Sequence, residues 1–171
     1  MTMRSENSQS NHEMEKMKAP IFKNPFTFIA TGFGIGALPF APGTWGSLEG
    51  VLLYLLFSSL SLCWYLILTV AVILLGVVCC HFTVKAWNQE DPQQLVIDEI
   101  AGFLVTMIAV PARVQWIVLG FILFRFFDIW KPWPISWLEK KIPGGLGVMI
   151  DDIAAGMIAF AILQLVIYFT A

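Results

Sequence analysis

Three stretches of the chain carry no Asp, Glu, Lys, Arg or His: Pro25 to Leu48, Gly50 to Cys80 and Ile153 to Ala171, of 24, 31 and 19 residues. As a helix, about 20 apolar residues cross the hydrocarbon core of a bilayer. The middle run would be about 46 Å long as one helix, too long for a core of about 30 Å without strong tilt, so a break is predicted. Ser58, Ser59 and Ser61 form a polar cluster inside it and place a turn between a helix near 48–57 and another near 63–81. A second apolar stretch, 100–112 and 114–127, is interrupted by Pro111 and Arg113. Proline removes a helical hydrogen bond and a lone Arg is costly at a membrane centre, so this stretch predicts a hairpin with its tip at 111–113. Its arms are short, so it either crosses a thin membrane or re-enters on one side. A last helix is expected near 152–168. The expected fold class is all-α: a polytopic membrane helical bundle of about four membrane segments, with a Gly-rich N-terminal segment that can be re-entrant.

Composition adds limits. With 58% hydrophobic residues among 171, and 10 Lys+Arg against 12 Asp+Glu, there is no room for a separate soluble domain of useful size. Residues 1–24 carry Arg4, Glu6, Glu13, Glu15, Lys16, Lys18 and Lys23 without the apolar core of a cleaved signal. They are expected as a polar cytoplasmic tail, and residues 25–171 as one membrane-embedded domain. Two hairpins return the chain to its starting side, so Lys16, Lys18, Lys23, Lys131, Lys140 and Lys141 share one face, the cytoplasmic one by the positive-inside rule. The polar stretches 81–99 and 125–152 share it too. The basic residues form no block, which argues against nucleic acid as a partner. Cys63, Cys79 and Cys80 lie in an apolar run and are odd in number, so they read as small hydrophobes rather than a disulfide or a zinc site.

Acidic residues gather at predicted helix ends: Asp98 with Glu99, Asp128, and Asp151 with Asp152, with Glu49 further back. Such an oxygen-rich cluster at a membrane surface suits Mg²⁺, which bridges carboxylates to phosphate. Helix capping is the plain alternative for Asp98, Asp151 and Asp152. Asp128 ends an apolar helix, where the macrodipole disfavours an anion, and needs a cation nearby. Arg125 and Lys131 stand at the spacings that pair with it, or all three face a metal and a phosphate. From Thr31 to Ser47 the chain has five glycines and two prolines. Gly34 and Gly36 can let backbone N–H groups approach an anion, with Thr44 and Ser47 as hydroxyl donors before a helix, or the small residues can serve tight helix packing. His81 is expected to end a helix, where it is either a proton donor or phosphate ligand or merely a polar terminus.

The chain resembles the phosphatidylglycerophosphatase A family of bacterial membrane phosphatases. The resemblance rests on Gly32-Phe-Gly-Ile-Gly, Ala41-Pro-Gly-Thr-Trp-Gly-Ser47, Ile97-Asp-Glu-Ile-Ala-Gly102, Phe124-Arg-Phe-Phe-Asp-Ile-Trp-Lys-Pro-Trp-Pro134 and Gly144-Gly-Leu-Gly-Val-Met-Ile-Asp-Asp-Ile-Ala-Ala-Gly156. It implies Mg²⁺-dependent hydrolysis of phosphatidylglycerol phosphate to phosphatidylglycerol and inorganic phosphate, on the route to cardiolipin. On that reading Asp98, Glu99, Asp128, Asp151 and Asp152 bind the metal and position water, a carboxylate or His81 handles protons, and Arg125 and Lys131 hold the phosphate. The partners expected are the lipid substrate and the bilayer of the bacterial inner membrane, with the site on the cytoplasmic face. Attack by metal-activated water is preferred to a covalent aspartyl-phosphate at Asp128. Rival readings are another lipid-headgroup phosphatase or a phosphatidyltransferase, then a cation-coupled transporter, which would place ionisable residues deep in the helices rather than at their ends. The oligomeric state is left open.

Overall fold

The computed structural model describes residues 21–89, 91–133 and 135–170; Pro134 and residues 1–20 of the expected tail lie outside them. Every regular element among the described residues is helical: α1 Pro25–Ala30, α2 Pro42–Phe57, α3 Leu62–Trp87, α4 Ile97–Thr106, α5 Val114–Trp130, α6 Ile135–Lys141 and α7 Gly145–Thr170, with a short 3₁₀ turn at Ile35–Ala37. The serine cluster makes the turn between α2 and α3, and the segment around Pro111 joins α4 to α5. Two helices, α3 and α7, each of 26 residues, are long and apolar enough to cross a membrane.

Several boundaries differ from the sequence reading, each for a physical reason. Helix α2 starts at Pro42 rather than near 48, because Pro at the first position has a pre-set φ and needs no N–H partner there. Its glycines do not break it, because they face another helix: a Cβ on Gly46 would lie 2.7 Å from Val96 Cβ, and one on Gly50 3.1 Å from Phe103 Cβ. Helix α3 does not end at His81 but runs on to Trp87, where Asn88 closes it in the left-handed conformation at φ 51°. Helix α7 starts at Gly145, so Asp151 and Asp152 lie in its second turn and are not caps.

Helix α4 is the hub. It packs on α2, α3, α5 and α7, most extensively on α7, and all of its residues except Glu99 are buried. Ten residues reach only about 15 Å, half a hydrocarbon core, so its last carbonyls fall in an apolar interior where unpaired backbone groups are costly. Side chains from neighbouring helices satisfy one carbonyl near its end and two in the segment that follows it. Tyr65 donates its hydroxyl to Leu104 O at 2.7 Å, Tyr54 to Val110 O at 2.8 Å, and Gln164 its amide to Ile108 O at 2.8 Å. Phe103, Phe124, Met107 and Leu163, all essentially buried, fill the space between these bonds.

The α4–α7 crossing is made backbone to backbone. A Cβ on Gly102 would lie 2.6 Å from Asp152 O, and one on Gly156 would overlap Gly102 O and approach Gly102 Cα to 3.2 Å. Small residues allow such approach between apolar helices, where packing rather than water expulsion drives association. Gly156→Val should therefore force the helices apart and lower stability by about 1–3 kcal/mol. Thermal unfolding in detergent, followed by circular dichroism, should show a clear fall in melting temperature, whereas Met157→Leu at the neighbouring exposed position should change it little. An unshifted Gly156→Val would contradict the close crossing.

Candidate active site

A cavity of about 350 Å³ opens where five parts of the chain meet. The residues before and at the start of α2, Ala41 to Gly43, form one wall; Asp91 to Gln93, between α3 and α4, form another. Asp98 and Glu99 enter from the first turn of α4, Arg125 and Asp128 from the last turns of α5, Lys131 from just beyond it, and Asp151 and Asp152 from α7. Both apolar hairpins therefore return to this one end of the bundle, as the sequence pattern leads one to expect.

Three carboxylates form its centre. One oxygen from each of Asp98, Glu99 and Asp152 lies within 4.8 Å of the others. Asp98 and Asp152 are buried, at 8% and 3% exposure, and Glu99 Oε2 is buried without a hydrogen-bond partner among the described residues. Asp98 Oδ1 accepts from the Glu99 N–H at 3.1 Å, which fixes one side of the pair at the positive end of the α4 dipole. Burial, and then the charge of Glu99, hold the Asp98 carboxyl well above its ordinary range. Burial, and then Asp152, push Glu99 up to about 8. Like charges brought together out of water keep their protons unless a cation lies among them. An all-oxygen set with an orphaned buried oxygen fits a hard divalent ion, so the cluster could hold a metal.

Cations flank this centre. Arg125 bonds Asp128 and stands 3.9 Å from Glu99 Oε1. Lys131 donates to Asp151 Oδ2 at 2.6 Å. Of the two cations that the spacing offers to Asp128, Arg125 bonds it, and Lys131 bonds Asp151, 20 residues further along the chain. Lys131 takes this position from a left-handed backbone at φ 43° that closes α5. Gly43 lets the start of α2 close on the same group: a Cβ there would lie 3.0 Å from Arg125 Nη1 and overlap Glu99. The free N-terminal end of α2, whose dipole favours anions, thereby borders the cavity.

The remaining candidates are placed elsewhere. Thr44, Ser47, Gly34 and Gly36 do not line the cavity. Ser47 is fully buried and donates to Gly43 O at 2.8 Å, inside its own helix. Gly36 packs on the backbone of Gln94, and Gly34, at φ 94°, turns the chain. His81 is exposed on α3 beside Gly144, with its ring against Phe82. Glu49 packs under Gly32, away from the acidic centre. Sequence reasoning passed over Gly43 and Asp91; the Pro-Gly pair opening a helix was a usable signal for the first, while nothing local marks the second.

The family model for phosphatidylglycerophosphatase A matches residues 28–167. The phosphatidylglycerophosphatase A of Escherichia coli strain K12 is 41% identical over 144 residues, 84% of each chain. That of Haemophilus influenzae is 39% identical over 158 residues, 91% of this chain and 97% of its own length. A putative phosphatidylinositol-3-phosphatase of Bacteroides thetaiotaomicron is 37% identical over 158 residues, 86% of this chain and 95% of its own. No solved structure matches. The matched segment contains every acid and cation of the cavity, and the chain belongs to the phosphatidylglycerophosphatase A family.

Proposed function

We propose that the chain hydrolyses the terminal phosphomonoester of phosphatidylglycerol phosphate in a Mg²⁺-dependent reaction, releasing phosphatidylglycerol and inorganic phosphate. The observation that carries the reading is the convergence of three buried carboxylates with Arg125 and Lys131 in one open cavity. A transporter would carry its acids along a path between helices; here they meet at one end of the bundle. The membrane setting follows the same logic. Helices α3 and α7 cross, and α2 and α5, of 16 and 17 residues, complete four segments in a bacterial inner membrane. The cavity then faces the cytoplasm, where a lipid presents its phosphate with its acyl chains still in the bilayer.

Asp98, Glu99 and Asp152 would hold Mg²⁺, which supplies Lewis-acid neutralisation of phosphate oxygens. Arg125 binds the terminal phosphate as a fork, and Lys131 as a point charge. Asp128, fixed by Arg125, orients the attacking water and takes its proton. Water oxygen bonds to phosphorus as the bond from phosphorus to the glycerol oxygen breaks, and that oxygen takes a proton from solvent water at the open cavity and leaves as the product hydroxyl, while Asp128 returns its proton to solvent. Asp151 acts through Lys131, holding it over the cavity.

Purified protein in detergent should release phosphate from phosphatidylglycerol phosphate with Mg²⁺ and none with EDTA. Asp152→Asn should cut turnover by about 100-fold or more while remaining folded, since loss of a group that only orients a metal ligand already costs about 10–100-fold. Release that persists in EDTA would overturn the metal reading, and no release from folded wild type with any divalent ion would overturn the phosphatase reading. Phosphatidylinositol 3-phosphate beside the first substrate tests the activity for which the third relative is named. Arg125→Lys keeps the charge and loses the fork, so kcat/KM should fall about tenfold or more; unchanged kinetics would remove the guanidinium from phosphate binding.

A further inference from the structure

A second concavity, an open groove of about 580 Å³, lies along α5 and is lined by Phe121, Ile122, Arg125, Phe126, Ile129 and Trp130. Arg125 and Ile129 also line the acidic cavity, so the two concavities adjoin and share Arg125. Everything beyond Arg125 is apolar, with Ile122 and Phe126 more than half exposed. From Arg125 inward to Phe121 the helix rises about 6 Å, so the groove holds the part of a chain nearest the headgroup in a leaflet of about 15 Å. Trp130, 64% exposed at the cavity end, is of the residue type that settles at the headgroup level.

We propose that this groove seats one acyl chain of the lipid substrate, so that Arg125 meets the headgroup where the chain ends. The inference rests on the phosphatase reading and specifies how the substrate is held. Lipid tails are as apolar as the groove, so seating a chain there brings no net transfer from water. Its effect is positional: a chain fixed along α5 sets where the phosphate falls in the cavity, and small misplacements of a reacting group are costly in rate. A groove that merely touched annular lipid would have no such effect.

The test compares kcat for dioleoyl and dibutyryl phosphatidylglycerol phosphate in mixed micelles of fixed composition, with the full chain and Mg²⁺. Wild type should favour the long-chain substrate. Ile122→Trp, which fills the groove, should lower the ratio of long-chain to short-chain kcat about tenfold, and Phe126→Ala, which widens it, should lower the ratio as well. Val118→Trp, on the same exposed stripe but outside the groove, should leave the ratio near that of wild type. An equal wild-type kcat for the two substrates, an unchanged ratio in both groove variants, or an equal fall in Val118→Trp would overturn the groove while leaving the phosphatase reading intact. Failure of wild type to hydrolyse either substrate would overturn both.

Discussion

The acidic centre depends on two helix backbones lying in contact at Gly102 and Gly156. Asp98 precedes the first glycine by four residues and Asp152 precedes the second by four. Each acid therefore stands one turn above the crossing, on the face that carries the glycine. With side chains at the crossing, the helix axes would separate to ordinary interaxial distance and the carboxylates would separate with them. Contact brings their oxygens within 4.8 Å. The proximity that makes the acids mutually repulsive is also what makes them a candidate cation site, so the apolar crossing sets up an electrostatic condition that a bound ion would relieve.

The shortness of α4 is the second constraint. A helix that stops half-way through an apolar bundle needs partners for its last carbonyls. Tyr65 is such a partner, at Leu104 O, and Tyr54 and Gln164 bond Val110 O and Ile108 O just beyond α4, one donor from each of three helices. Their bonds fix the depth and rotation of α4, and with it the direction in which Asp98 and Glu99 enter the cavity. These three polar groups, lying at the opposite end of α4 from the chemistry, hold the register of the site without touching it.

Much of this was legible in the residues. The charge-free runs gave the hairpins, and the grouping of acids and cations gave the end of the bundle at which they meet. Helix starts were harder, because Gly43, Gly46, Gly145 and Gly147 have low intrinsic helix propensity and the packing that makes them helical is tertiary. The same effect hid the position of Gly43 on the cavity wall, whereas Gly34, Gly36, Thr44 and Ser47 lie outside its lining. His81 looked terminal only because the apolar run ends there; α3 continues for six polar and apolar residues beyond it. The partner of Lys131 depends on a backbone turn at positive φ, and no local pattern predicts which acid such a turn selects.

The distribution of the cavity over five parts of the chain bears on how the protein is made. Asp98 and Glu99 come from the middle of the sequence, but Asp152 and the anchor of Lys131 come from α7, the last helix in chain order. A chain made only as far as Lys131 holds two of the three carboxylates and both cations, yet lacks the backbone contact that assembles them. On the proposed reading, the site is complete only after the final helix docks, so partly assembled intermediates would be inert toward lipid.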